Sequence, residues 1–158
     1  LAGDMPLRAP MSWTAGAGGF STSAQPFRPL APNLASHNAQ QQAADPNSIL
    51  AFYKAMLKLR NTLPSLARGS FEQSFADGLV LGYQRHWRDA KGDERTLVLI
   101  NHGSAPARVA VPGLPAGAAL RRVHPDAPEL RYSFGERGQA PHTVEVAPQS
   151  VQVWRVVQ

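Results

Sequence analysis

The chain has 158 residues, 43% hydrophobic and 17% charged, which is typical of a folded domain, and its lack of cysteine excludes disulfides and thiolate metal sites. The net charge of +5 suggests a nucleic-acid partner, but the 13 Arg and 3 Lys form no continuous basic block, so none is expected. No apolar run approaches the roughly 20 residues of a membrane-spanning helix, so no membrane partner is expected, and the compartment stays unknown.

Residues 1–44 are rich in Pro and Gly and follow neither a helical nor a strand period. A loop of this length is uncommon inside a compact domain and is usually functional or disordered. The segment contains five large apolar side chains that need packing partners elsewhere: Met11, Trp13, Phe20, Phe27 and Leu30. Two interpretations stay open, a surface arm or a long loop that lies over a larger domain.

The next segment predicts a helix over residues 46–61. Asp45 is a suitable N-cap, Pro46 suits the first helical position, and Pro64 ends the helix. Apolar residues recur at spacings of three and four, at Ile49, Phe52, Tyr53, Met56 and Leu59. This stripe is wider than a helix on a small sandwich usually buries, so we expect part of it to be exposed.

After residue 68 the pattern changes to the period of two that is typical of strands. Eight strands are predicted, at 69–75, 78–87, 95–102, 106–111, 118–124, 129–134, 142–147 and 150–157. Turn residues such as Asp77-Gly78 and Pro112-Gly113 separate them. Short strands with turns at this spacing indicate an antiparallel β-sandwich.

The residue types that carry common chemistry are scattered. The five histidines, at positions 37, 86, 102, 124 and 142, have no metal-ligand spacing, so neither a metal nor a cofactor is expected. No Gly-x-Ser-x-Gly surrounds any serine, and the acidic residues fall mostly in predicted turns or at strand ends. No catalytic residue is therefore assigned in this chain.

Four segments carry a recognisable pattern. Residues 8–13 are Arg-Ala-Pro-Met-Ser-Trp, residues 40–60 end in Leu-Arg, residues 69–71 are Gly-Ser-Phe, and residues 97–101 are Leu-Val-Leu-Ile-Asn. In this order they resemble the C-terminal part of an α-glucosidase or α-amylase of glycoside hydrolase family 13, which has Arg-Thr-Pro-Met-Gln-Trp, a final barrel helix, Gly-x-Tyr and Leu-Val-Leu-x-Asn. Ser12 stands where the family commonly has Gln.

The resemblance implies a mainly β fold class. An antiparallel β-sandwich would be preceded by a long loop and one helix from a truncated (β/α)8 barrel. Residues 1–65 would be the last βα loop and final helix of that catalytic barrel, and residues 66–158 the C-terminal β-sandwich. A (β/α)8 barrel builds its active site from the loops that follow its strands, so residues 1–44 would approach the substrate.

The resemblance also implies a function for the whole protein, a retaining glycosidase acting on α-glucosidic bonds in oligosaccharides. Its catalytic carboxylates would lie upstream, so this chain alone would be inactive and would need the upstream barrel domain as a partner. Arg8 is the one substrate-binding candidate, because the family's arginine holds hydroxyls of the terminal glucose and a guanidinium presents donors in a rigid fork. The alternative for Arg8 is a salt bridge that holds the loop.

Two other functions stay open. The chain could be the tail of a transglycosylase or a trehalose synthase, or a non-catalytic carbohydrate-binding or structural β-sandwich module. A surface row of aromatic residues would favour the binding module. The candidates are Tyr83, Trp87, Tyr132 and Trp154, and their positions in predicted strands favour packing instead.

Overall fold

The computed structural model describes residues 6–16, 25–90, 92–125, 131–133 and 143–157. The chain divides into two compact units, Leu1–Lys58 and Leu59–Gln158. The first contains a short 3-10 helix (Pro6–Arg8), helix α1 (Ala39–Ala44) and most of helix α2 (Ile49–Thr62). Phe20 and its neighbours lie outside the described residues, and no helix in the described ranges is long and apolar enough to cross a bilayer.

Helix α1 was not expected, since residues 1–44 were predicted to lack secondary structure. Asn38 caps it: the side-chain Oδ1 accepts a hydrogen bond from the Gln41 backbone N–H at 3.0 Å. Asn followed three residues later by Gln is close to the pattern that marks a helix start. The signal was present, but the Pro and Gly content of the surrounding loop obscured it.

Helix α2 begins at Ile49, three residues later than predicted. The expected cap, Asp45, instead accepts from the Asn47 N–H at 2.8 Å in a local turn that includes Pro46. Ser48 is the actual cap, because its hydroxyl oxygen accepts from the Ala51 N–H at 3.1 Å. The two capping signals compete, and the helix starts after the second.

Pro64 ends one helix and begins another. Helix α2 stops at Thr62, and the five-residue helix α3 (Pro64–Arg68) follows with Pro64 at its start. A proline suits that position because its missing N–H would have no partner in the first turn. The prediction of a single helix was therefore incomplete.

Eight antiparallel strands follow, as predicted. They are β1 (Ser70–Asp77), β2 (Val80–Asp89), β3 (Gly92–Asn101), β4 (Ala107–Ala110), β5 (Ala119–His124), β6 (Arg131–Ser133), β7 (Thr143–Val146) and β8 (Ser150–Val157). They form a six-stranded sheet, in the order β1-β2-β3-β8-β5-β6, and a two-stranded sheet of β4 and β7. The mainly antiparallel fold class is confirmed, although parts of the predicted strands 129–134 and 142–147 lie outside the described residues.

The core of the second unit combines apolar side chains from both sheets. The large sheet contributes Val80, Leu97, Leu99, Leu120 and Trp154, and the small sheet contributes Val109, Val144 and Val146. The ring of Phe75 packs directly over Gly82, so any side chain at position 82 would collide with it. Burial of these alternating side chains is the main force that holds the sheets together.

A carboxylate fastens helix α3 to the large sheet. Glu94 on β3 accepts from the backbone N–H of Ser65 at 3.0 Å and from its hydroxyl at 2.8 Å. Its second oxygen accepts from Nη2 of Arg155 on β8 at 3.1 Å. Because a carboxylate is favourable at a helix N-terminus, this contact fixes the start of α3 on the sheet.

Asn101, the last residue of the Leu-Val-Leu-Ile-Asn segment, is a structural clamp. Its buried side-chain amide donates to the carbonyls of Ala105, Val146 and Ala147 at 2.9–3.2 Å. Its Oδ1 accepts from the Gly103 N–H at 2.8 Å. One side chain thus joins the end of β3, the loop before β4 and the end of β7.

We expect Asn101→Ala to lower the free energy of unfolding by about 2–4 kcal/mol, because it leaves buried backbone groups without hydrogen bonds. Urea unfolding of the chain measures this change. Asn61→Ala is the matched control, since Asn61 is exposed on α2, and it should change stability little. Equal effects of the two substitutions would contradict the clamp.

Candidate functional site

Residues 8–13 are held against the start of helix α1 by their main chain. The carbonyl of Ser12 accepts from the Ala39 N–H at 2.8 Å, and the carbonyl of Trp13 accepts from the Gln40 N–H at 3.0 Å. The first N–H groups of a helix have no partner within it. Two carbonyls from this segment satisfy them, which fixes the segment's backbone.

Asn38, the N-cap of helix α1, holds the same junction through its side chain. It is fully buried, and its Nδ2 donates to the Leu34 carbonyl at 3.1 Å and to Oε1 of Gln41 at 2.6 Å. With the cap on Gln41 N–H, the amide uses both its donor and its acceptor atoms. The turn at residues 31–37 and the segment at 8–13 are therefore anchored at one point.

An apolar groove of about 560 Å³ lies along this segment, lined among others by Met11, Trp13, Ile49 and Tyr53. Met11 and Trp13 are each about half exposed, although they were expected to pack within the loop. Arg8 is also exposed and sits at the end of the 3-10 helix, just outside the groove lining. Arg8 directly precedes Ala9, the first residue of the groove lining along the chain.

Helix α2 presents much of its apolar side to the surroundings. None of its fourteen residues is buried. Ile49, Tyr53 and Leu57, at a spacing of four, are 71%, 62% and 54% exposed, and residues at this spacing lie on one helix face. Phe52 is exposed beside them, while Met56 and Leu59 are partly buried.

A polar cleft of about 650 Å³ lies on the second unit, near the β2–β3 turn. Its lining includes the charged or titratable side chains of His86, Arg88, Asp93, Arg95 and Arg155. Nη2 of Arg95 lies 3.2 Å from Nδ1 of His86, and Nε2 of His86 lies 2.8 Å from Oδ1 of Asp93. Arginine can only donate, so the tautomer of His86 that pairs with Arg95 accepts at Nδ1 and donates from Nε2 to Asp93.

Three further contacts extend the charged network around this cleft. Nη1 of Arg95 donates to Oε2 of Glu72 at 3.2 Å and to Oε1 of Gln84 at 3.0 Å. Nε of Arg88 lies 2.9 Å from Oδ2 of Asp93. This network was not predicted, because the pairing of β1, β2 and β3 that brings its side chains together has no local signal in the sequence.

The network shifts the pKa values of its carboxylates. The hydrogen bond from the Ser70 hydroxyl is the largest cause that lowers the pKa of Glu72, and the positive charge of Arg95 adds to it, against partial desolvation. The hydrogen bond with His86 is the largest cause that lowers the pKa of Asp93. Elsewhere, burial lowers the pKa of His124, with Arg122 nearby acting in the same direction.

The aromatic candidates have different surroundings. Trp154 is a core residue, and Arg68 lies over the ring of Trp87 at 5.9 Å. Tyr83 stacks on the exposed Phe71, with ring centroids 4.9 Å apart. The side chain of Tyr132, like His142, lies outside the described residues. Within the described ranges, no three His, Asp or Glu side chains gather in a way that could hold a metal ion.

Known proteins share this fold and parts of this sequence. Residues 1–69 match the family model for the α-amylase catalytic domain. An α-glucosidase of Pediococcus pentosaceus is 36% identical over 76 residues, 48% of this chain and 14% of its own length. The amino acid transporter heavy chain SLC3A2 of Rattus norvegicus is 31% identical over 118 residues, 73% of this chain and 20% of its own length.

Solved structures extend the likeness over nearly the whole chain. The crystal structure of an isomaltulose synthase from Klebsiella sp. LX3 is 27% identical, with a TM-score of 0.69. It covers 95% of this chain, which corresponds to 25% of that protein. The chain therefore spans a quarter or less of each of these relatives.

The region that corresponds to this chain is thus one portion of a longer protein in each of these relatives. The resemblance to glycoside hydrolase family 13, the α-amylase family, is confirmed by the family match, the relatives and the fold.

The charged network predicts acid sensitivity. The pKa of Glu72 is depressed in the folded state, so its ionisation stabilises the fold above the ordinary glutamate pKa of about 4.3, and this contribution is lost as pH falls through the depressed value. Glu72→Gln should therefore lower Tm at pH 7, and the difference from the parent chain should shrink towards pH 3.

Thermal unfolding at pH 7, 5, 4 and 3 measures this effect. Glu145→Gln, an exposed position on β7, is the matched control and should leave the pH profile of the parent chain intact. A Tm difference for Glu72→Gln that stays constant from pH 7 to pH 3 would contradict the assignment.

Proposed function

We propose that this chain is the C-terminal part of a retaining enzyme that acts on α-glucosidic bonds in oligosaccharides. The observation that carries the proposal is the match of residues 1–69 to an α-amylase catalytic domain, within which the Arg-x-Pro-Met-x-Trp segment is fixed on helix α1. Residues 1–65 would belong to the catalytic barrel, and residues 66–158 would form the accessory sandwich.

The catalytic carboxylates would come from the upstream domain. A retaining glycosidase uses two carboxyl groups about 5–5.5 Å apart, one as nucleophile and one as acid. Within the described residues of the first unit, Asp45 is the only carboxylate, and its Oδ1 is engaged by the Asn47 N–H. The chain alone would therefore bind no transition state and should hydrolyse no α-glucoside.

Arg8 would contact the substrate. Its guanidinium carries several donors in a fixed plane, which suits the adjacent hydroxyls of a glucose ring. The exposed position of Arg8 beside a segment with a fixed backbone supports this role. Hydrogen bonds from this charged group to the sugar would contribute to substrate binding.

The exposed apolar face of α2 would pack against the upstream domain. The matched isomaltulose synthase has three quarters of its chain outside the region that corresponds to this one. An apolar stripe on a helix normally faces a core, and Ile49, Tyr53 and Leu57 remain exposed here. Coverage by the upstream barrel would bury them.

A chimera tests the function. Residues 1–158 replace the corresponding C-terminal part of the Pediococcus pentosaceus α-glucosidase, which supplies the upstream domain. We expect the chimera to hydrolyse p-nitrophenyl α-glucoside, while the isolated chain does not. Arg8→Ala in the chimera should lower kcat/KM about 10- to 150-fold, the loss expected for one hydrogen bond to a charged group, with little change in Tm.

Arg60→Ala, exposed near the end of α2, is the matched control and should leave kcat/KM unchanged. An unchanged kcat/KM for Arg8→Ala would remove the substrate role. A large fall in Tm would assign Arg8 to a salt bridge that holds the loop. Hydrolysis by the isolated chain, abolished by mutation of one of its own carboxylates, would contradict the proposal that the catalytic carboxylates come from the upstream domain.

The α2 face predicts the behaviour of the isolated chain. Each large apolar side chain left in water forfeits roughly 1.5–3 kcal/mol, so purified 1–158 should bind an apolar dye or self-associate. Ile49→Glu combined with Leu57→Glu should reduce both, without loss of Tm, because neither side chain is buried. Light scattering and dye fluorescence measure the effect, and a monomer that binds no dye would show that α2 is already covered.

A non-catalytic module is the second candidate function. One observation favours it: the Phe71–Tyr83 stack is exposed on the sandwich, and stacked aromatic side chains offer flat apolar surface to a ligand. The relative named as an amino acid transporter heavy chain shows that similarity of this degree is not confined to proteins named as glycosidases. A well-folded but inactive chimera would favour this candidate.

A further inference from the structure

We propose that the polar cleft of the second unit binds a phosphate group, either as free phosphate or as part of a phosphorylated sugar. This site lies on the β-sandwich and uses none of the residues assigned to the glycosidase function. It is defined by Arg88, Arg95 and Arg155, with His86 on β2 directly opposite Arg95 on β3.

The charges are distributed unequally across this network. Three guanidinium groups line the cleft, but Asp93 is the one carboxylate among the described lining residues. Two other carboxylates pair with these arginines without lining the cleft: Glu72 with Arg95 and Glu94 with Arg155. With these partners included, three carboxylates balance the three guanidinium groups, so an anion would bind by competing for guanidinium donors on the lining side, where the carboxylates are fewer.

The arginines also retain donors for a ligand. A guanidinium has five N–H groups. Contacts with other described residues engage three of them in Arg95, one in Arg155 and one in Arg88. Arginine and phosphate form charge-assisted, often bidentate hydrogen bonds, so several such groups around one concave surface suit a tetrahedral oxyanion.

Asp93 is the competitor that a bound anion must displace. Its contact with Arg88 is a surface pair, with the two side chains 75% and 47% exposed. Exposed pairs of this kind contribute little to stability, so Arg88 can turn from Asp93 to a ligand at low energetic cost. Arg95 and Arg155 are more enclosed and are already oriented by Glu72 and Glu94.

The lining has an apolar side that would face the organic part of a larger ligand. Pro115, Val156 and Val157 complete the lining of the cleft. A volume of about 650 Å³ exceeds that of a single phosphate ion. The cleft can therefore accommodate a phosphate with an attached sugar, and the experiment distinguishes the two sources.

Isothermal titration calorimetry of the full chain at low ionic strength tests the proposal with three probes: inorganic phosphate, glucose 6-phosphate and glucose. We expect saturable binding of both phosphates and none of glucose. Tighter binding of glucose 6-phosphate would identify a phosphorylated sugar as the ligand, and equal affinity would identify the phosphate group alone.

Three variants test the site: two should weaken phosphate binding, and the third should strengthen it. Arg88→Gln and Arg155→Gln should each weaken phosphate binding about tenfold, through the loss of a charge-assisted hydrogen bond. Asp93→Asn removes the competing carboxylate and should tighten binding about three- to tenfold. Because Arg88 is largely exposed, its variant should keep the Tm of the parent chain, so the test does not depend on Arg155→Gln remaining folded.

Arg108→Gln is the matched control, since Arg108 is exposed on β4 of the other sheet. It should leave the affinity unchanged. The proposal is overturned if inorganic phosphate gives no saturable binding, if Arg108→Gln weakens binding as much as Arg88→Gln, or if glucose binds as tightly as glucose 6-phosphate.

Discussion

The carboxylate of Glu94 determines how the chain passes from helix into sheet. One oxygen holds Ser65 at the start of α3, and the other holds Arg155 on β8. Glu94 is 12% exposed, and removing one partner of an enclosed charge pair is far more destabilising than removing a surface pair. This contact holds helix α3, which directly precedes β1, against the large sheet.

The sequence predicted the strands well because each signal was local. Alternating apolar residues and Pro or Gly turns mark all eight strands, and the Asn101 segment lies at the end of one of them. Helix boundaries were predicted less well, because several capping residues lie within a few positions of one another. Asp45 and Ser48 offer competing caps, and only the surroundings of Ser48, whose hydroxyl also donates to the Gln42 carbonyl at 2.7 Å, decide between them.

The two candidate sites also differ in how far the sequence predicts them. Residues 8–13 could be recognised from the sequence, because the motif is contiguous and resembles a known family. The cleft around His86 could not, since Glu72, Asp93 and Arg155 come from three strands and meet only after the sheet forms. Long-range pairing leaves no short sequence pattern, so sites of this kind become visible only in the folded chain.

The anchoring of residues 8–13 through main-chain carbonyls has a consequence for how this segment can diverge. The hydrogen bonds from Ala39 and Gln40 reach the carbonyls of Ser12 and Trp13, which every amino acid possesses. Ser12 can therefore replace the family's common Gln without releasing the segment. Side chains at these two positions can therefore change while the hydrogen bonds that hold the backbone to α1 are kept.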